Sequence, residues 1–257
     1  MTPDRAFFDR LADAARAETL PRFRSGLSVV DKGGQHYDPV TEGDQAAEAA
    51  IRSLIEAEFP DHGILGEEHG SIGLDRDYVW VIDPIDGTRA FISGVPVWGT
   101  LVGLYHKGRA VMGLIDQPFT GERYFADGEK SVYRGPDGER VIRTSGCTRI
   151  EDAKLFTTSP HLFEGHDETV YRAIETKARL FRYGVDCYAY ALLAAGHVDL
   201  VVECSLKPYD VGGIIPVIEQ AGGVMTDWQG GRPEMGGYIV AAATEALHRE
   251  AVKMLNA

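Results

Sequence analysis

A run of ten residues, Trp80-Val-Ile-Asp83-Pro84-Ile-Asp86-Gly87-Thr88-Arg89, constrains the fold of this chain more than any other. Tyr78 to Ile82 is apolar and rich in β-branched and aromatic residues, which predicts a short buried strand. It ends in two carboxylates three positions apart. Unpaired charge at the end of a buried strand is costly, so these acids must be paired or neutralised. Pro84 has no N–H to give to a sheet, which predicts that the chain leaves the ladder there. Gly87 permits a sharp turn and close approach of the backbone to a ligand. Such a build suits a hard divalent cation such as Mg²⁺, which takes oxygen ligands and keeps some of its water. Taken alone, a D-x-x-D-G is better read as a turn with solvated aspartates.

The rest of the chain decides between those readings. Its 257 residues allow a sizeable core, as one large domain or two intimately packed halves. Apolar content of 44% and charged content of 25% are those of a soluble globular protein. A net charge of −13, with no Lys/Arg run, argues against a nucleic-acid surface. An acidic protein that handles an anionic substrate needs cations to do so. Cys147, Cys187 and Cys204 form an odd, widely spaced set without C-x-x-C, which predicts reduced thiols in a cytoplasmic protein. No segment approaches the roughly 18 apolar residues of a membrane span. The N-terminus lacks the pattern of a signal peptide. It reads instead as a helix capped by Thr2, with Pro3 at its first position and Phe7, Phe8, Leu11, Ala14 and Ala15 on one face.

A second helix is expected from the capping-box pattern Thr41-Glu-Gly-Asp44, running to Pro60. After the Asp-Pro strand, Val97 to Tyr105 and Ala110 to Asp116 read as a hairpin, and another is expected around Pro136-Asp137-Gly138. The first half, about 1–145, is thus helices followed by a mainly antiparallel sheet. The second half, about 150–257, alternates strand and helix, including a helix from Pro208 to Ala221. The boundary near 144–153 rests on composition alone.

Acidic clusters fall at the ends of these elements: Asp38 with Asp44, Glu67 with Glu68, Asp83 with Asp86, and Asp210. Each alone has a plain account as a cap, a solvated loop or a first-turn acid facing the helix dipole. In combination and order, Asp38-Pro-Val-Thr41-x-x-Asp44, Gly66-Glu67-Glu68, Asp83-Pro-Ile-Asp86-Gly-Thr88, Tyr209-Asp210-Val-Gly-Gly and Glu219-Gln-Ala-Gly-Gly resemble the inositol monophosphatase family of Mg²⁺-dependent, lithium-sensitive phosphatases. The resemblance runs from about residue 5 to the last helix.

It implies an α/β fold, the layered αβαβα sandwich of sugar phosphatases spanning residues 1–257, and a homodimer. It also implies roles. Glu67, Asp83, the carbonyl of Ile85, Asp86 and Asp210 would ligate two or three Mg²⁺, with Asp83 bridging. Glu67 and Thr88 would orient and deprotonate the attacking water, with Asp44 supporting Thr88 from behind. The Gly87 and Thr88 amides would hold phosphate, as helix N-termini do. A phosphate monoester dianion is protected by its own charge and hydrolyses extremely slowly unaided. Metal ions held by carboxylates would answer that need without a nucleophilic side chain. Rival signatures, including a P-loop, a C-x₅-R and a G-x-S-x-G elbow, are missing from the sequence.

The substrate is written elsewhere. Arg89-Ala-Phe91-Ile-Ser93, Tyr183-Gly-Val-Asp186-Cys187-Tyr188 and Glu203 resemble the histidinol-phosphate phosphatase branch. Histidinol phosphate carries an ammonium and an imidazole, and carboxylates at Asp186 and Glu203 would offer them charge-assisted hydrogen bonds. The plain alternatives are a helix-start acid for Asp186 and a solvated strand-end acid for Glu203. Arg89 is open between a phosphate contact and a structural salt bridge. Gly87, Thr88 and Asp210 would complete the substrate contacts. The resemblance therefore implies a histidinol-phosphatase acting on a small phosphorylated metabolite, and the acidic composition implies no nucleic-acid or membrane partners. An inositol or broad sugar-phosphate phosphatase is the alternative, and a catalytically idle regulatory or RNA-associated member is a lesser one.

Overall fold

The computed structural model describes residues 3–26, 29–31, 33 and 39–257. In chain order, α1 (Arg5–Thr19) precedes a ribbon of β1 (Val29–Asp31) and β2 (Pro39–Thr41), then α2 (Glu42–Glu58). Next come β3 (Gly63–Gly66), β4 (Ser71–Ile72), β5 (Tyr78–Asp86) and the short α3 (Thr88–Ile92). The antiparallel run β6 (Gly99–His106), β7 (Arg109–Gln117), β8 (Glu122–Ala126), β9 (Ser131–Gly135) and β10 (Gly138–Val141) follows. The remainder is β11 (Lys154–Thr157), α4 (His166–Lys177), β12 (Leu180–Tyr183), α5 (Asp186–Ala194), β13 (Leu200–Leu206), α6 (Pro208–Gly212), α7 (Ile214–Gln220), β14 (Val224–Asp227), β15 (Gly237–Ala242) and α8 (Glu245–Leu255).

Two larger sheets result, an eight-stranded one in the order β10-β9-β8-β7-β6-β5-β3-β4 and a five-stranded one in the order β12-β11-β13-β15-β14. Helices α1 and α2 cover the outer face of the first, where Phe7, Phe8, Ile51 and Ile55 pack on Trp80, Ile82 and Leu104. Helices α5, α6 and α7 fill the space between the sheets, and α4 with α8 covers the far face of the second. This is the expected α/β architecture of five layers. Among the described residues no helix is long and apolar enough to cross a membrane.

Side-chain alternation along β5 sets up the site. Trp80 and Ile82 face α1 and α2, so Val81 and Asp83 face the middle layer. There α6 comes very close: a Cβ on Gly103 of β6 would lie 2.3 Å from the Gly212 carbonyl oxygen. Only glycine at that crossing lets helix and sheet backbones meet, which brings the first turn of α6 against the end of β5.

Three expectations need correction. Helix α1 begins at Arg5 and is capped by Asp4, whose carboxylate accepts from Phe7 N at 2.9 Å; Thr2 and Asp38 lie outside the described residues. An acid whose side chain bonds the third amide is a better cap than a residue two positions upstream. The chain does not leave the ladder at Pro84. Asp83 pairs with Leu101 and Asp86 with Gly99, so β5 carries one extra residue as a bulge and resumes pairing. Thr100 Oγ1 donates to the Pro84 carbonyl at 2.8 Å and steadies that bulge. Finally, the helix expected over 208–221 is two helices, α6 and α7, meeting at Gly213. Pro216 has no N–H to donate to Gly212 four residues back, which breaks the ladder there.

Candidate active site

The bulge aims both aspartates of Asp83-Pro-Ile-Asp86 at a cleft of about 240 Å³ between the two sheets. Its lining includes Glu67, Asp83, Ile85, Asp86, Gly87, Thr88 and Arg89 from the first half, and Thr158, Asp186 and Asp210 from the second. One oxygen from each of Asp83, Asp86 and Asp210 lies within 4.8 Å of the others. Asp83 Oδ1 accepts from Ile85 N at 3.1 Å, fixing the carboxylate inside its own bulge. Asp86 Oδ2 accepts from Cys187 N at 2.7 Å, and Asp210 Oδ2 accepts from Lys207 N at 2.7 Å. Each acid is thus held by a backbone amide.

Gly87 takes φ +85°, a left-handed conformation that suits glycine, and ends the strand as the N-cap of α3. A side chain there would also collide with Asp186, whose carboxylate oxygen would stand 3.0 Å from an added Cβ. Thr88 Oγ1 donates to the Ile85 carbonyl at 3.1 Å. Beneath this turn, Phe23, Ile85, Phe91 and Trp98 form a buried apolar cluster, with Phe91 edge-on to Trp98 at 4.8 Å. Across the cleft, Asp186 opens α5 with φ +47°, an uncommon conformation for a residue with a side chain.

Like charge and burial raise the proton affinity of the whole group. Burial first, then Glu67, Asp86 and Asp210, hold Asp83 well above the usual carboxylate range. Burial pushes Asp86 up to about 7, with Asp210 adding repulsion. Asp210 also rises to about 7 through burial, partly opposed by the Lys207 amide. Asp186 reaches about 7, again from burial, with Asp86 adding to the rise and Arg89 opposing it. Such a group is costly unless protons or cations neutralise it. An all-oxygen donor set of three carboxylates, with Glu67 and the Ile85 carbonyl on the same wall, fits a hard divalent cation. Asp83, Asp86 and Asp210 would form the centre of its cage.

The structure gathers nearly all the residues expected from the sequence into this cleft, with two exceptions. Asp44 is fully buried and spends Oδ2 on Thr41, accepting from its N at 2.8 Å and its Oγ1 at 2.6 Å; Asp44 Oδ1 has no hydrogen-bond partner among the described residues. The expected support of Thr88 by Asp44 is therefore not made, because Asp44 closes the capping box of α2 and Thr88 turns to Ile85. Glu203, 2% exposed, lines an adjoining chamber of about 130 Å³ instead of the main cleft. It accepts from Thr158 N at 2.6 Å, Thr158 Oγ1 at 2.9 Å and Thr157 Oγ1 at 3.2 Å. Arg89 is exposed at the rim.

One residue escaped the sequence reading. Glu48 on α2 is completely buried and accepts from Glu68 N at 2.7 Å, His69 N at 3.1 Å and Arg52 Nε at 2.7 Å. It clamps the turn directly after Glu67. The signal was present: Glu48 follows Asp44 by one helical turn, on the stripe that carries Ile51 and Ile55.

The five-layer fold and the carboxylate cleft are those of a phosphoric monoester hydrolase. More particularly, the chain belongs to the inositol monophosphatase family, whose family model matches residues 3–257. The chloroplastic bifunctional phosphatase IMPL2 of Arabidopsis thaliana is 44% identical over 258 residues, covering 96% of this chain and 73% of that protein. A histidinol-phosphatase of Chlorobaculum parvum is 34% identical over 257 residues, covering 100% of this chain and 98% of that protein. A solved inositol monophosphatase from Zymomonas mobilis has a TM-score of 0.87 at 40% identity, covering 98% of this chain and 97% of its own.

Proposed function

We propose that the protein is a Mg²⁺-dependent histidinol-phosphatase, hydrolysing L-histidinol phosphate to L-histidinol and phosphate in histidine biosynthesis. The observation that carries this reading is Asp186. Asp186 lines both the main cleft and the inner chamber, with its carboxylate against Gly87 and close to Asp86, and would meet an ester's alcohol group there. A cationic alcohol gives that acid a charge-assisted partner, whereas the hydroxyls of a neutral polyol give it ordinary hydrogen bonds only. The kinship to the Chlorobaculum parvum protein over the full chain points the same way.

Asp83, Asp86 and Asp210, with Glu67 and the Ile85 carbonyl, would hold two or three Mg²⁺. When bound, these ions neutralise phosphate charge, acidify a water and stabilise the departing alkoxide. The Gly87 and Thr88 amides would receive phosphate oxygens at the start of α3. Glu67 would accept the proton of the attacking water, with Thr88 fixing its line of approach. The water oxygen bonds to phosphorus as the ester P–O bond breaks, the leaving oxygen takes a proton from a solvent water to depart as histidinol, and Glu67 returns its proton to solvent. Free cysteines at 147, 187 and 204 support a reducing, cytoplasmic setting, and the family resemblance supports a homodimer.

The test is kcat/KM for histidinol phosphate against inositol 1-phosphate with Mg²⁺, in the wild type and in Asp186→Ala. Loss of one charge-assisted hydrogen bond should raise KM for histidinol phosphate about tenfold to a hundredfold, and far less for inositol 1-phosphate. Equal turnover of both esters by the wild type would favour the second reading, an inositol or broad sugar-phosphate phosphatase. The likeness to the Zymomonas mobilis structure is what speaks for that reading.

A further inference from the structure

The peptide group between Pro84 and Ile85 lies inside the bulge of β5 and is gripped at both ends. The Ile85 N–H donates to Asp83 Oδ1 at 3.1 Å, and the Pro84 carbonyl accepts from Thr100 Oγ1 at 2.8 Å. These are the two ends of one planar trans unit, so a contact that fixes one end fixes the other. The bulge is what frees this carbonyl. Asp83 pairs with Leu101 and Asp86 with Gly99, which leaves Pro84 and Ile85 together opposite Thr100. A buried carbonyl outside the ladder needs a donor, and a side chain of the next strand supplies it.

Thr100 is out of character with its surroundings. It is fully buried, and alternation along β6 places it on the face of Val102 and Leu104, in the apolar layer under α1 and α2. Leu101 faces the middle layer instead. Valine has the same branched shape and would suit that face with no hydroxyl to satisfy. Thr100 is not part of the cleft lining, so its hydroxyl touches neither metal nor ester. What it holds is the far end of the peptide group that holds Asp83. A donor on that carbonyl also polarises the group and strengthens the hydrogen bond its N–H makes.

We infer that Thr100 is a positioning residue for the metal centre, whose hydroxyl acts through the Pro84–Ile85 peptide group to fix the orientation of the Asp83 carboxylate. The inference rests on the reading of the carboxylate trio as a Mg²⁺ site and is independent of which ester is cleaved. Asp86 and Asp210 are held by the Cys187 and Lys207 amides, away from this peptide group. Loss of the hydroxyl therefore loosens one ligand of three, and weakens metal binding without abolishing it.

The experiment is calorimetric titration of the full-length protein with Mg²⁺, with Tm in metal-free buffer measured beside it. Thr100→Val should raise Kd for Mg²⁺ about tenfold, the worth of one hydrogen bond. Thr100→Ser returns the hydroxyl and should bind within about twofold of the wild type. Ser131→Ala removes another buried hydroxyl, one that donates to the Val217 carbonyl at 2.8 Å. It should lower Tm and leave Kd unchanged, as a merely structural Thr100 would. A Thr100→Val protein that binds Mg²⁺ as tightly as the wild type overturns the inference. So does a loss that Thr100→Ser fails to restore. Thr100→Ala makes the same comparison should the valine variant not fold. A wild type that binds no Mg²⁺ is a separate failure, which removes the metal reading and this inference with it.

Discussion

Glu203 carries more consequence than a single buried acid usually does. Burial pushes its carboxyl up to about 8, outweighing the three hydrogen bonds from Thr157 and Thr158 that favour the charged form. The folded protein therefore binds this proton more tightly than the unfolded chain, whose value is 4.5. That stabilisation is complete below the unfolded value and is lost as the pH rises through about 8. In metal-free buffer, the Tm of the wild type should fall more steeply between about pH 5 and about pH 8 than that of Glu203→Gln. Thermal melts at several pH values check this, and parallel slopes would contradict it. Asp83, Asp86 and Asp210 shift in the same direction in both proteins, so the difference between the two slopes isolates Glu203.

At the scale of the element, α2 and β5 explain what was legible in the sequence. The carboxylates of β5 are legible because they end an apolar run and recur in order with Glu67 and Asp210, a combination that no single solvated turn explains. The bulge that aims them is not, since a proline normally ends pairing and its continuation is steadied by the Thr100 hydroxyl on the neighbouring strand and by the Asp83 carboxylate folded back on the Ile85 amide. Glu48 was hidden for a related reason. Glu and Arg four apart on a helix read as a solvated ion pair, and burial here depends on a turn 20 residues away in the chain. The aspartates of the cleft thus reveal themselves locally, whereas Glu48 takes its meaning from the turn that the fold lays across it. Truncating Glu48 strands the Glu68 and His69 amides, a loss of about 1–3 kcal/mol for each, and leaves Arg52 with the Gly70 carbonyl alone. Glu48→Ala should lower kcat and raise the Mg²⁺ concentration for half-activity about tenfold, because the turn holding Glu67 is released. Glu48→Gln keeps an acceptor for those amides and should recover most of the metal affinity. Metal titrations of both variants separate positioning from simple destabilisation, which would leave the half-activity concentration of the folded fraction unchanged.

Taken as a whole molecule, the cleft is a repulsive seam between two layers. The first sheet supplies Glu67, Asp83 and Asp86, while the middle helices supply Asp186 and Asp210, in a chain that already carries a net charge of −13. Backbone contact between β6 and α6 forces these acids together, so apolar packing elsewhere sustains the seam against its own charge. A divalent cation that binds only the folded state then stabilises it by mass action, about 2.7 kcal/mol at a hundredfold excess over Kd. For a chain of this size each kcal/mol moves Tm by about 2–4 °C, so saturating Mg²⁺ should raise it by roughly 5–10 °C. Asp210 is the one member of the trio contributed from the second half of the chain. Asp210→Asn should lose most of the Mg²⁺-induced shift and most of the activity. Without metal it should melt no lower than the wild type at neutral pH, because one buried like charge is gone while Asn retains an oxygen for the Lys207 amide. Scanning calorimetry with and without Mg²⁺ decides it: a variant that keeps the full shift would mean that Mg²⁺ is held without the second half of the chain.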